Sequence, residues 1–260
     1  MMQLSAVIIT FNEERNIERC LRSLVGVADE IVVVDSFSSD RTPEICKAFG
    51  VTFFQTDWKG FASTKNFANA LASGDWILSM DADEALSDEL KNSILKCKEQ
   101  GKLITARFKR RSFYCGKWIN HSGWYPDMKI RMFDRRQVIW TGTIHEQLQF
   151  SEHVEMVTLD GDLHHYSYYT IREHLLKSDK YSTLAAAAMF ESGKKITMLM
   201  IPAKALARFL RVYFLNLGVL DGIYGLVICG ISAWEVFLKY SRLYILLHNK
   251  PAAVNNGKHD

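Results

Sequence analysis

The feature that most constrains this chain is an alternation, kept up through its first hundred residues, between short apolar runs and apolar residues at helical spacing. Leu4 to Thr10 is a short apolar run, β-branched from Val7 on, of the fully buried strand type. Ile17, Cys20, Leu21, Leu24 and Val25 then recur at the spacing of one helix face. Ile31 to Val34 predicts a second strand that ends at Asp35. Ser38, Ser39 and Asp40 offer caps for a following helix, and Pro43 suits its first turn. Val51 to Phe54 predicts a third strand, Ser63 to Ala72 a helix, and Trp76 to Met80 a fourth strand. Leu86, Leu90, Ile94 and Cys97 predict one more helix stripe. Alternation of this kind predicts an α/β fold, a mostly parallel sheet with helices on both faces.

Sheets of this class bind ligands beyond the carboxyl ends of their strands. Thr10, Asn12 and Glu13 follow the first strand, Asp35 the second, and Asp81 and Asp83 the fourth. Two carboxylates two residues apart after a strand can converge on one hard cation. Magnesium or manganese would suit them and keep positions open for phosphate oxygens. A bare D-x-D pattern arises readily by chance. A second one, Asp160-Gly161-Asp162, predicts a turn between strands because glycine separates its acids.

The charge balance, 32 Lys and Arg against 29 Asp and Glu, is less basic than duplex nucleic-acid binding calls for, so no nucleic-acid partner is expected. A hydrophobic content of 48% excludes disorder for most of the chain. The cysteines, Cys20, Cys46, Cys97, Cys115 and Cys229, are scattered and form no C-x-x-C pair. That pattern argues against a disulfide framework or zinc knuckle and for a reducing compartment. The first residues carry no basic leader and their apolar run ends in acids, which predicts a strand rather than a signal peptide and a cytoplasmic location. No G-x-G-x-x-G follows the first strand and no G-x-x-x-x-G-K occurs, which disfavours a dinucleotide dehydrogenase and a P-loop enzyme.

From Leu103 to about Phe150 short strands and turns are expected. There Arg107, Lys109, Arg110, Arg111 and Lys117 mingle with Tyr114, Trp118, Trp124 and Tyr125, side chains suited to phosphates and sugar rings. A β-edge guarded by charge is the alternative. His164 to Gly193 predicts a helix with Gly193 at its C-terminal cap. Ile196 to Leu247 is apolar and aromatic, but its longest charge-free stretch, Gly222 to Trp234, is 13 residues. A spanning helix needs about 20, so an interfacial or buried helical hairpin is expected. Lys204, Arg208 and Arg211 share one helical side and could meet anionic lipid while Leu206, Phe209, Leu210 and Phe214 insert. Packing on the catalytic domain or at a subunit interface is the alternative.

Four segments in order carry a resemblance: Ala6-Val7-Ile8-Ile9-Thr10-Phe11-Asn12-Glu13-Glu14, Ile31 to Thr42, Lys65-Asn66, and Gly74 to Glu84 with its Asp81-Ala82-Asp83. Together they resemble the donor-binding half of family 2 glycosyltransferases, which have the Rossmann-like GT-A fold. Trp124 to Phe133 and His145-Glu146, with the aromatic and basic C-terminal segment, resemble the lipopolysaccharide-core β-glucosyltransferase subgroup. One departure is Phe37, where the family often has glycine.

The resemblance implies a GT-A domain over residues 1–165, with a nucleotide-sugar half (1–100) and an acceptor half (101–165). A C-terminal helical, membrane-associating segment (166–250) and a flexible tail (251–260) would follow. It implies inverting, metal-dependent transfer of a glucose-like hexose from a nucleotide-sugar, a UDP-hexose, to a lipopolysaccharide-core or related surface glycan. The acceptor would be a glycan or glycolipid at the inner face of the cytoplasmic membrane, and homo-oligomerisation stays open. Thr10, Asn12, Glu13, Asp35, Lys65 and Asp81 would bind the donor, and Asp83 and His145 the metal. Glu146, or second Asp127, would be the base, and Trp124 and Arg131 would meet the acceptor. The rivals are a nonenzymatic membrane-associated sugar-binding protein of the same fold and a D-x-D phosphotransferase. The latter expects Thr or Val at position 85 and its motif on the first strand; Ala85 and the fourth strand stand against it.

Overall fold

A computed structural model of the protein describes residues 3–101, 104–142 and 146–249. The chain divides into two compact units, Met1–Phe113 with Tyr125–Ser167, and Tyr114–Trp124 with Tyr168–Asp260.

The first unit begins β1 (Leu4–Thr10), α1 (Ile17–Leu24), β2 (Glu30–Asp35), α2 (Thr42–Ala48), β3 (Thr52–Gln55), α3 (Phe61–Leu71) and β4 (Trp76–Asp81). The short β5 (Glu84–Leu86) and α4 (Asp88–Glu99) follow, then β6 (Thr105–Tyr114). β7 (Lys117–Trp118) falls in the second unit, and β8 (Asp127–Asp134), β9 (Val138–Thr141), β10 (Gln147–Phe150) and β11 (Met156–Tyr168) return to the first. The main sheet runs β3-β2-β1-β4-β8-β6-β11-β5. β1 is buried at every residue because parallel β2 and β4 flank it. A strand covered on both faces has no polar side to alternate with. The sheet turns antiparallel at β8, which pairs Ile77 with Phe133 and Leu78 with Met132.

One face packs Leu4, Ala6 and Ile8 against Ile17, Cys20, Leu21 and Leu24 of α1. The opposite face packs Val7, Ile9, Val32 and Val34 against Ala62 and Ala68 of α3, with Phe133 and Trp140. Register then decides the function of the strand ends. Thr10 lies beside Asp35 and Ile9 beside Asp81, so three parallel strands deliver their last residues to one edge.

Four local expectations are corrected. Leu86 is in β5, paired with Leu163 of β11, and α4 starts after it with Ser87 Oγ accepting the Leu90 N–H at 3.2 Å. Helix α2 has Pro43 in its first turn as expected, and of the three offered caps Asp40 meets it, accepting the Thr42 N–H at 3.0 Å; Ser38 and Ser39 bond to Asp35 and Asn12 instead. Asp160-Gly161-Asp162 is no turn between strands but lies within β11, where Gly161 has φ +98°. A Cβ there would sit 2.2 Å from the Leu90 nitrogen, so glycine is set by the close approach of α4. Residues His164 to Tyr168 are strand, not helix, because His164 and His165 pair with Ala85 and Glu84. The helix α5 (Ile171–Glu191) begins after them with a Thr170–Glu173 capping box.

The second unit holds α5, α6 (Met200–Leu210) and α7 (Ile223–His248). Ala186, Ile196, Ile201 and Leu243 form one core, and Tyr114, Ile119 and Ile228 another. Buried Asp221, in the connection before α7, accepts the N–H of Asn120 at 3.2 Å and of His121 at 3.1 Å, and the Ser122 hydroxyl at 2.9 Å. With its 26 residues α7 is long and apolar enough to cross a membrane by length and composition, although Glu235, Lys239 and Arg242 lie along it.

Candidate active site

At the shared strand edge, the loops after β1 and β2 are laced together. Asn12, at φ +54°, donates its N–H to Ser38 Oγ at 2.7 Å and accepts the Ser39 N–H at 2.8 Å. Glu13 donates its N–H to Thr42 Oγ1 at 2.9 Å, and its carboxylate accepts Asn16 Nδ2 at 2.7 Å. Asp35 is fully buried. Its carboxylate accepts the Ser38 N–H and Gln55 Nε2, both at 2.9 Å, and the Ser38 hydroxyl. Thr10 Oγ1 is buried with no hydrogen-bond partner among the described residues.

Next to this edge lies a chain of alternating charges. Lys65 Nζ is 3.2 Å from Glu146 Oε1 and 3.0 Å from Asp81 Oδ1. Arg131 Nη2 is 2.5 Å from both Asp81 Oδ2 and Glu84 Oε1. Glu84 also faces Arg110 at 3.4 Å, and Arg110 reaches Asp127 at 2.6 Å, which Lys129 meets at 3.1 Å. The members come from α3, β4, β5, β6, β8 and the segment before β10, so the sheet assembles the series from sequence-distant pieces. Asn66 explains why Lys65 points here. Its side chain accepts the Trp140 N–H at 2.9 Å and donates to the Trp140 carbonyl at 2.8 Å, which clips α3 to β9. The Lys65 ammonium then sits 4.6 Å from the Trp140 ring centroid.

The charges set the acids apart. Burial would push the Asp81 carboxyl up, but Arg131 and Lys65 outweigh it and hold it well below the usual range. Asp127 behaves alike: burial raises it, Arg110 and Lys129 prevail, and it ends below its ordinary value. Asp83 is built differently. Its Oδ2 is 3.2 Å from His165 Nε2, while His165 Nδ1 is 2.7 Å from Ser167 Oγ. In the tautomer that donates Nδ1–H to that serine, the Nε2 lone pair faces the carboxylate oxygen across a gap that suits a cation; in the other tautomer Nε2–H donates to Asp83. An oxygen and an imidazole nitrogen at this spacing fit a divalent ion such as manganese, and the serine fixes the ring in the way ligand histidines are fixed.

Of the residues singled out in the sequence, Lys65, Asp81 and Glu146 meet directly, and Asp127 joins them through Arg110, Glu84 and Arg131. Arg131 is 3% exposed and spends its guanidinium on Asp81 and Glu84 rather than facing an acceptor. Trp124 lies in the second unit, edge-on to Tyr114 with ring centroids 5.6 Å apart. His145 falls outside the described residues. Sequence reasoning missed Glu84, Arg110 and His165. Glu84 stood in the motif without a role, Arg110 in a cluster expected to meet phosphates and sugar rings, and His165 in a stretch predicted helical.

Removing Arg131 leaves buried Glu84 and partly exposed Asp81 short of a cation. Arg131→Met is expected to destabilise the protein by about 3 kcal/mol near neutral pH. A carboxyl lowered on folding stabilises above its ordinary value, 3.8, and loses that contribution as pH falls through the folded value. The variant should therefore begin acid unfolding at higher pH than the wild type, and its deficit should narrow below 3.8. Denaturant titrations over a pH series measure both; equal stability at neutral pH would remove Arg131 from this role.

The family model described as Glycosyl transferase family 2 matches residues 5–166. The chain is 30% identical over 243 residues to the lipopolysaccharide core biosynthesis glycosyltransferase LpsC of Rhizobium meliloti, covering 90% of this chain and 86% of that one. It is 29% identical over 254 residues to an uncharacterized glycosyltransferase of Rickettsia typhi, covering 94% and 87%. Among solved structures it is similar to S. aureus TarS in complex with UDP, with 15% identity, a TM-score of 0.46 and coverage of 93% and 92%. A Rossmann-like sheet, acids gathered at its strand ends and a family match over most of the sheet-bearing unit lead to one conclusion: the chain belongs to glycosyl transferase family 2.

Proposed function

We propose that this enzyme transfers a glucose-like hexose from a UDP-hexose to a lipopolysaccharide-core or related surface glycan, with inversion at the sugar carbon. The observation that carries the reading is the meeting of Glu146 and Asp81 on the single ammonium of Lys65. Inversion needs a base that takes the acceptor hydroxyl's proton on the face opposite the leaving diphosphate. Glu146, 26% exposed and reached from solvent, is suited to it. Asp127 is tied to Arg110 and Lys129, which depress its proton affinity. Lys65, shared by Glu146 and Asp81, holds the base in place beside the donor edge. The strand-end residues Thr10, Asn12, Glu13 and Asp35 shape the donor edge, and Asp81 holds Lys65 and Arg131 there. Asp83 with His165 would hold a divalent ion, magnesium or manganese, which supplies charge compensation to the departing diphosphate. The name of LpsC supports a lipopolysaccharide-core product.

The second unit favours a membrane-surface site for this reaction. Leu206, Leu210, Phe214 and Leu215 are exposed, Leu215 at 78%. Arg208 and Arg211 stand exposed among them, and no acid occurs from Lys194 to Leu220. Apolar side chains beside unopposed cations suit the inner face of the cytoplasmic membrane, where a glycolipid acceptor resides.

Two measurements test these readings. Glu146→Gln is expected to lower turnover by roughly two to four orders of magnitude while nucleotide-sugar binding stays near the wild-type value; loss of donor binding as well would make Glu146 structural. In flotation assays the protein should rise with vesicles containing anionic phospholipid at low salt and much less with zwitterionic vesicles. Failure to rise with either removes the membrane reading.

A further inference from the structure

The turn after β2 carries a bulky residue in a place that suits glycine. Asp35 closes this turn by accepting the Ser38 N–H at 2.9 Å, and Phe37 sits inside it at φ +58°. There Cβ crowds the neighbouring carbonyl, so a bulky residue is an outlier and glycine the ordinary occupant. Burial does not compensate, because Phe37 is 56% exposed.

The same turn withdraws its acid from solvent. Asp35 is buried, with three donors on its carboxylate. What the end of β2 presents outward is therefore an aromatic ring rather than a charge. The backbone that carries the ring is fixed, since Ser38 and Ser39 on its C-terminal side bond to Asn12 of the neighbouring loop. Thr10 and Asp35 are register partners, so Phe37 stands at the carboxyl edge where sheets of this class take nucleotides.

Strained backbone marks sites held in place for a use, and an exposed ring beside a nucleotide edge offers a flat apolar face. We propose that Phe37 stacks on the nucleobase of the donor, and that this contact is what the strained turn serves. The proposal rests on the nucleotide-sugar reading above and adds to it the residue that grips the base.

Phe37→Gly removes the ring and the strain together, which separates this role from a structural one. Calorimetric titration with UDP should show affinity weakened roughly ten-fold, within the range of one base–aromatic contact. Inorganic pyrophosphate should bind both proteins alike, the melting temperature should not fall, and Phe37→Tyr should keep wild-type UDP affinity. Equal UDP affinity in wild type and Phe37→Gly overturns the proposal and leaves the donor reading standing. A lower melting temperature with weaker pyrophosphate binding makes Phe37 structural and overturns it too. A wild-type protein that binds neither UDP nor pyrophosphate overturns the donor reading, and this proposal with it.

Discussion

The carboxylate of Glu84 has no solvent exposure, yet it lies where the guanidinium groups of Arg131 and Arg110 and the backbone N–H of Asp81 all point. A buried acid is tolerable only when its lone pairs are taken up by hydrogen-bond donors, and charged donors serve best. Here those donors come from β4, β6 and β8, so the pairing of sheet strands and the geometry of the site are one arrangement. Glu84 holds the turn after β4 from within: its Oε2 accepts the Asp81 N–H at 3.1 Å, and its Oε1 shares Arg131 with the Asp81 carboxylate. Disturbing any strand of the set would misplace Asp81 before altering its chemistry.

This anchoring gives the two acids of Asp81-Ala82-Asp83 different surroundings. Asp81 has two cations of the chain within 3.0 Å and stays ionised far into acid. Asp83 faces an imidazole, and the Tyr166 N–H bonded to its carbonyl at 2.9 Å ties its backbone to β11. A carboxylate matched by fixed cations has little to offer a further one, whereas a carboxylate beside a nitrogen ligand does. The D-x-D spacing thus places one acid among the protein's own charges and the other beside an imidazole.

Much of the framework was legible in the sequence because it depends on local pattern. The unbroken apolar run of β1 predicted a strand covered on both faces, and the polar residues after β1, β2 and β4 predicted the shared edge. What stayed hidden depends on pairing between distant segments. Leu86 fits a helix stripe by spacing, and only its partner Leu163 makes it strand. His165 belongs beside Asp83 because β11 returns across the sheet to β5, a contact between residues 82 positions apart that no local period records. Arg131 illustrates the same limit: its motif was conspicuous, but whether it would face solvent or the carboxylates of Asp81 and Glu84 was decided by the register of β8 against β4.

The division of labour between Asp81 and Asp83 is the claim on which the account of the site turns. Crystals grown with manganese and UDP, measured for anomalous scattering at the manganese edge, address it directly. The account expects one manganese peak bonded to Asp83 and His165, with Asp81 still on Lys65 and Arg131. A peak bonded to Asp81 with its contacts to Lys65 and Arg131 broken, or a metal remote from both acids, would contradict it.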